Sequence, residues 1–105
     1  MNHALKRNNC EKAVKDYITM PKVEIYTAML CVYCNQAKAL FAKKQVAFEE
    51  INVGFHPKKR AEMIQRANGQ RTVPQIFIND CHIGGFDDLH ALKIAGKLDH
   101  ILEAE

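Results

Sequence analysis

The chain has 105 residues, 48% of them apolar and 26% charged, an ordinary globular balance that suits one domain with a modest core. No apolar run approaches the roughly 20 residues of a membrane-spanning helix, and no cleavable secretory leader is evident. Four cysteines without framework-like spacing speak against a disulfide-stapled secreted scaffold and for a reducing compartment, so a cytoplasmic location is the expectation.

The formal net charge is +3, and much of the excess falls between Lys58 and Arg71, where Lys58, Lys59, Arg60, Arg66 and Arg71 are opposed only by Glu62. No aromatic residues interleave with these cations, so the pattern fits a small anionic partner better than nucleic acid. The histidines His3, His56, His82, His90 and His100 show no metal-ligand spacing and read as surface or packing residues.

In chain order, residues 1–21 read as an N-terminal extension, with a short helix over Glu11–Ile18 ended by Met20-Pro21. Residues 22–105 then form one compact domain. Val23-Glu24-Ile25-Tyr26 alternates apolar and polar and predicts a strand over 23–27. Cys34, Ala37, Leu40 and Phe41 recur at three and four, which predicts a helix over 32–44 with Lys43 and Lys44 in its last turn. Val46–Val53 predicts a second strand. Pro57 suits the first turn of a helix reaching Ala67, with Ala61, Met63, Ile64 and Ala67 as its buried stripe, and Asn68-Gly69 as its stop.

Pro74–Ile78 predicts a third strand, Asn79-Asp80 a tight turn and Cys81–Ile83 a fourth strand closing a hairpin. Asp87 or Asp88 suits the cap of a helix carrying Leu89, Leu92 and Ile94, and a last helix presents Leu98, Ile101 and Leu102. The order β-α-β-α-β-β-α-α predicts an α/β domain with a four-stranded mixed sheet and helices on both faces.

Three stretches carry chemistry. Cys31-Val32-Tyr33-Cys34 sits where a strand hands over to a helix. A thiol at a helix start meets unpaired N–H groups and the positive end of the dipole, which favours its thiolate, and a cysteine three residues on lies on the same side. Cys31 then reads as an exposed nucleophile and Cys34 as its sheltered resolving thiol. The alternative is half of a zinc site, for which Cys10, Cys81 and His82 are available as further ligands but no second C-x-x-C exists. Thr72-Val73-Pro74 opens the third strand, either as a strand initiator or as a cis Val73–Pro74 peptide beside the dithiol, leaving Val73 to pair with an extended peptide. Gly84-Gly85-Phe86-Asp87-Asp88 is either a turn with a helix cap or a site where N–H groups hold a carboxylate and an Asp holds an ammonium, as the γ-glutamyl end of glutathione requires.

Ile25-Tyr26-Thr27, Cys31-x-Tyr33-Cys34, Arg71–Ile78 and Ile83-Gly84-Gly85-x-Asp87-Asp88-Leu89 together resemble the dithiol glutaredoxins of the small bacterial type, over roughly residues 22–104. The resemblance implies a thioredoxin fold with strand order 2-1-3-4 and glutathione-dependent reduction of protein disulfides and protein–glutathione mixed disulfides by a monomer. By resemblance, Cys31 and Cys34 are catalytic, while Tyr33, Thr72, Val73, Pro74, Gly85, Phe86, Asp87 and Asp88 contact glutathione. Arg60 and Arg71 partner its glycine carboxylate. Two positions depart from the family: Val32 stands where most dithiol members have proline, and Ala28 where a lysine is common. Some members lacking that proline hold a [2Fe–2S] cluster between two protomers with glutathione, so a cluster carrier or sensor is the alternative function. A third is an electron donor to ribonucleotide reductase fed by thioredoxin reductase, although such chains lack the Gly-Gly-x-Asp-Asp run.

Overall fold

The computed structural model describes residues 21–102; the expected extension over residues 1–21, with its helix and Cys10, lies outside the described residues apart from Pro21. Four strands and four helices follow: β1 Val23–Thr27, α1 Val32–Lys43, β2 Glu49–Asn52, α2 Pro57–Arg66, β3 Gln75–Ile78, β4 Cys81–Gly84, α3 Phe86–Ile94 and α4 Leu98–Leu102. The strands form one mixed sheet in the order β2-β1-β3-β4, as expected. β1 runs parallel to β2 and antiparallel to β3, and β3 and β4 form the hairpin. Asn79 and Asp80 both take positive φ, 52° and 67°, the backbone that a two-residue hairpin turn demands.

Every residue of the two central strands, β1 and β3, is buried, and their side chains alternate between the faces. Val23, Ile25, Ile76 and Ile78 meet Ala37 and Phe41 of α1, Leu89 of α3, and Leu98 and Leu102 of α4 in one apolar cluster. Tyr26 and Phe77 turn the other way and meet Met63 and Ala67 at α2, together with Val53. Burial against helices on both sides is what permits apolar residues throughout the central strands.

Four expectations change. The second strand is shorter than Val46–Val53: Val46 and Phe48 are partly buried against the α1 face, so their apolar signal comes from packing rather than from a ladder. Ala61 is exposed, and the buried positions at α2 are Met63 and Ala67. Ile94 is 73% exposed, because α3 turns Leu89 and Leu92 inward instead. Neither Asp87 nor Asp88 caps α3; its N-cap is Gly85, and Asp88 sits at the third helical position.

Candidate active site

The chain leaves β1 at Thr27, crosses Ala28-Met29-Leu30 and enters α1 through Cys31. Leu30 has φ +55° and is 98% exposed, an uncommon combination for a branched apolar residue that sets up the turn into the helix. Cys31 is the N-cap of α1, with extended backbone, and its Sγ accepts the Cys34 N–H at 3.1 Å. A cap oxygen would ordinarily take that orphan donor. Here a sulfur does, so the helix start solvates charge on the Cys31 thiol. Cys34 begins the buried stripe of α1 and is 1% exposed, whereas Cys31 is partly open to solvent. The two are joined as a disulfide with Cα atoms 5.2 Å apart. The expected division into an accessible and a sheltered sulfur therefore has a structural basis: one caps the helix, the other faces the core.

The Val73–Pro74 peptide is cis, and the Val73 carbonyl lies 3.8 Å from Cys31 Sγ. This loop is held from below by Gln75, a wholly buried polar residue at the start of β3. Its side-chain amide donates to Gln70 Oε1 at 3.1 Å and to the Thr72 carbonyl at 3.0 Å, and its oxygen lies 2.7 Å from His82 Nε2 on β4. Those bonds satisfy an amide that would otherwise be costly to bury.

Gly84 and Gly85 bring β4 into α3. Gly84 has φ +121°, and a Cβ there would overlap the Asp88 carboxylate, so glycine is required on two grounds. The Asp88 carboxylate folds back to accept the Gly85 N–H at 3.1 Å. That single bond is half of a capping box, since glycine has no side chain to return it, and it ties the start of α3 to its N-cap. The first-turn N–H groups of α3 have no helical acceptor, the kind of donor set that can hold an anion. Asp87, by contrast, has no side-chain hydrogen bond or ion pair among the described residues.

A groove of about 290 Å³ runs between these pieces, lined by Tyr33, Thr72, Val73, Pro74, Gly85, Phe86, Asp87 and Asp88, with Gln70 in addition. Tyr33 and Phe86 stack across it, ring centroids 6.1 Å apart, and Phe86 stacks in turn on His90 at 5.5 Å. Three segments remote in sequence thus converge on one groove. Arg60 and Arg71 do not line it; the Arg60 guanidinium instead donates to the Arg71 carbonyl at 3.2 Å. Gln70 and Gln75 were not picked out from the sequence. A glutamine inside the apolar run of β3 was the available sign for Gln75, and nothing comparable marked Gln70.

Among the described residues no group of three or more His, Cys, Asp or Glu could hold a metal ion; Cys10, one of the ligands the zinc alternative would need, lies outside them. Nor is any helix among them long and apolar enough to cross a membrane.

Comparison with known proteins places this arrangement. The glutaredoxin family model matches residues 23–83. A glutaredoxin of Pseudomonas aeruginosa is 53% identical over 85 residues, covering 81% of this chain and all of the relative. The solution structure of a glutaredoxin from Brucella melitensis superposes with a TM-score of 0.72 at 50% identity, covering 82% of this chain and 92% of that one. The crystal structure of a buckwheat glutaredoxin–glutathione complex gives the same TM-score at 26% identity, covering 92% of this chain and 90% of that one.

Proposed function

The chain belongs to the glutaredoxin family, whose members are thiol–disulfide oxidoreductases, and from that premise we propose that it reduces protein–glutathione mixed disulfides and protein disulfides at the expense of glutathione. The observation that carries this reading is the groove beside Cys31, whose lining pairs an open helix N-terminus with an unengaged carboxylate. Glutathione presents an α-carboxylate and an α-ammonium on one carbon. The first-turn N–H groups of α3 take the former, Asp87 takes the latter, and the Val73 backbone pairs with the cysteinyl part as an added strand does. Tyr33 and Phe86 close the apolar side. That the buckwheat relative is solved as a glutathione complex supports glutathione as the ligand. Arg60 and Arg71 do not line the groove, and their pairing with the glycine carboxylate stays in the proposal as what the resemblance implies.

With a glutathionylated protein, the Cys31 thiolate attacks the glutathione sulfur, the protein thiolate leaves and takes a proton, and Cys31 carries the glutathione. A second glutathione thiolate then attacks that glutathione sulfur, releasing glutathione disulfide and restoring the Cys31 thiolate. With a protein disulfide, Cys31 bonds to one protein sulfur and Cys34 displaces it, leaving the Cys31–Cys34 disulfide and a protein dithiol. Two glutathiones reduce that disulfide. The helix start stabilises the Cys31 thiolate as nucleophile and as leaving group, a role that falls to it because Ala28 brings no cation. The proposed setting is cytoplasmic.

The test separates the two thiols. Cys31→Ser is expected to abolish turnover of both substrate types. Cys34→Ser is expected to retain reduction of a glutathionylated peptide and to lose most protein-disulfide reduction. Equal loss in both variants on the glutathionylated peptide would overturn the assignment. Coupling the wild-type chain to glutathione reductase and, separately, to thioredoxin reductase checks the electron source; turnover with thioredoxin reductase alone would favour the ribonucleotide-reductase donor reading.

Val32, exposed beside Cys31 where the family commonly has proline, favours a second reading: carriage of a [2Fe–2S] cluster between two copies, with glutathione completing its ligands. One copy would supply Cys31 alone. Anaerobic reconstitution followed by visible absorption and sizing tests it, and a colourless monomer disposes of it.

A further inference from the structure

A second depression, of about 470 Å³, lies between α1 and α3 and shares Phe86 with the groove beside the dithiol. Its lining combines Ala39, Leu40 and Phe86 with Lys43, Lys93 and His90. α1 contains no carboxylate along its whole length. At the far end Lys44 is paired with Asp99 at 2.6 Å, but Lys43 and Lys93 have no ion pair among the described residues. Two unneutralised ammonium groups thus stand beside an apolar strip that runs on from the dithiol groove.

We infer that this channel docks an acidic segment of the protein substrate while that substrate's cysteine is engaged at Cys31. The inference rests on the functional reading above and adds the chemical class of the partner. Charge narrows the occupant to an acidic segment. The chain's own residues 1–20 carry Lys6, Arg7, Lys12 and Lys15 against Glu11 and Asp16, the same sign as the channel, so they are the wrong complement for it. A polypeptide bearing Glu or Asp has the opposite sign, and its methylene groups suit the apolar strip. The reach is also defined. Lys43 lies twelve residues beyond Cys31, the cap of the same helix, roughly 18 Å along the axis at about 1.5 Å per residue. An extended peptide covers that in about five or six residues, so the acidic side chains belong about five or six positions from the substrate cysteine.

The experiment uses the full chain and two sets of glutathionylated peptides, one with two glutamates five and six residues from the cysteine, the other with two lysines there, each set made in both sequence orders. The wild type is expected to show a KM about three- to tenfold lower for the acidic peptide in one of the two orders, a preference that fades above about 0.3 M salt as exposed charge pairs do. In Lys43→Gln with Lys93→Gln the preference disappears, while the mixed disulfide of glutathione and 2-mercaptoethanol is turned over as before. Lys43→Arg with Lys93→Arg keeps the preference. Equal KM values for acidic and basic peptides in the wild type, or an undiminished preference in the glutamine double variant, overturn the proposal. So does competition against the acidic peptide by a single-stranded oligodeoxynucleotide at equal concentration, which would assign the channel to nucleic acid, or a dimer whose contact covers Lys43 and Lys93. Failure of the wild type on the small mixed disulfide would instead strike at the functional reading itself, so the two failures are distinguishable.

Discussion

On one face of the sheet, Ile25, Ile76 and Ile78 meet Phe41, Leu89 and Leu98 in an apolar cluster; on the other, Tyr26 and Phe77 meet Met63 and Ala67 beneath a guanidinium. Arg66 places its Cζ 4.1 Å from the Phe77 ring centroid and donates to the Tyr26 hydroxyl at 2.8 Å and to Glu24 at 2.9 Å. The Tyr26 hydroxyl in turn donates to Glu62. Both helices that begin at the dithiol groove, α1 and α3, belong to the apolar face; α2, on the polar-sealed face, starts at His56 without a side-chain cap bond. Two of the groove's three pieces, the starts of α1 and α3, are therefore held by close-packed apolar contacts that transmit displacement to helix ends, while Val73 of the third packs against the other cluster. The other face is sealed over the two central strands by the Arg66, Tyr26, Glu24 and Glu62 network.

The sharpest way to break this contrast is Phe41→Ala. Phe41 is wholly buried on the same helical face as Cys34, two turns on, and its loss should cost about 3–5 kcal/mol in urea unfolding, with Cys31-dependent turnover reduced even where the protein remains folded. Undiminished turnover in the folded variant would show that α1 does not need its packing to hold the dithiol. Arg66→Met should cost less, about 1–3 kcal/mol, by leaving the sheltered Glu24 carboxylate without its partner. Turnover per folded molecule should then match the wild type. A loss of activity comparable to that of Phe41→Ala would remove the distinction between the faces.

The smallest effect concerns Glu50, which joins the two layers near the site: it accepts from Thr27 Oγ1 at 2.8 Å and from Lys38 of α1 at 3.0 Å. The Thr27 hydroxyl, and then Lys38, hold its carboxyl below the usual range. A lowered folded-state pKa stabilises the protein fully above the ordinary carboxylate range and loses that contribution as pH falls through the folded value. Glu50→Gln should therefore lower Tm slightly at neutral pH and flatten the acid side of the Tm–pH curve. An unchanged acid limb would mean that the bond is absent in solution. Glu62, held low chiefly by the Tyr26 hydroxyl, shifts in the same sense and adds to that slope.

Much of the fold was legible because its signals are local. The Cys34, Ala37, Phe41 stripe fixes α1 by its own periodicity, Pro57 starts α2, and Asn79-Asp80 turns the hairpin, each without reference to distant residues. Val46–Val53 misled because apolar content does not distinguish a paired strand from a loop packed on a core. The position of Arg60 was equally hidden: a run of cations states net charge but not which way each side chain turns, and this one turns to the Arg71 carbonyl.

By itself the sequence determined the order of elements, the cysteine pair at a helix start, the proline opening β3 and the paired glycines before α3, since each depends on spacing or on backbone preference within a few residues. Tertiary structure alone decided that Gln75 would brace the groove through Gln70 and Thr72, that Asp88 would turn back on Gly85 while Asp87 stayed unengaged, and that Phe86 would join two channels. Those outcomes depend on which segments the sheet brings side by side. A buried amide or a capping carboxylate takes its partner from that proximity, which no local pattern encodes.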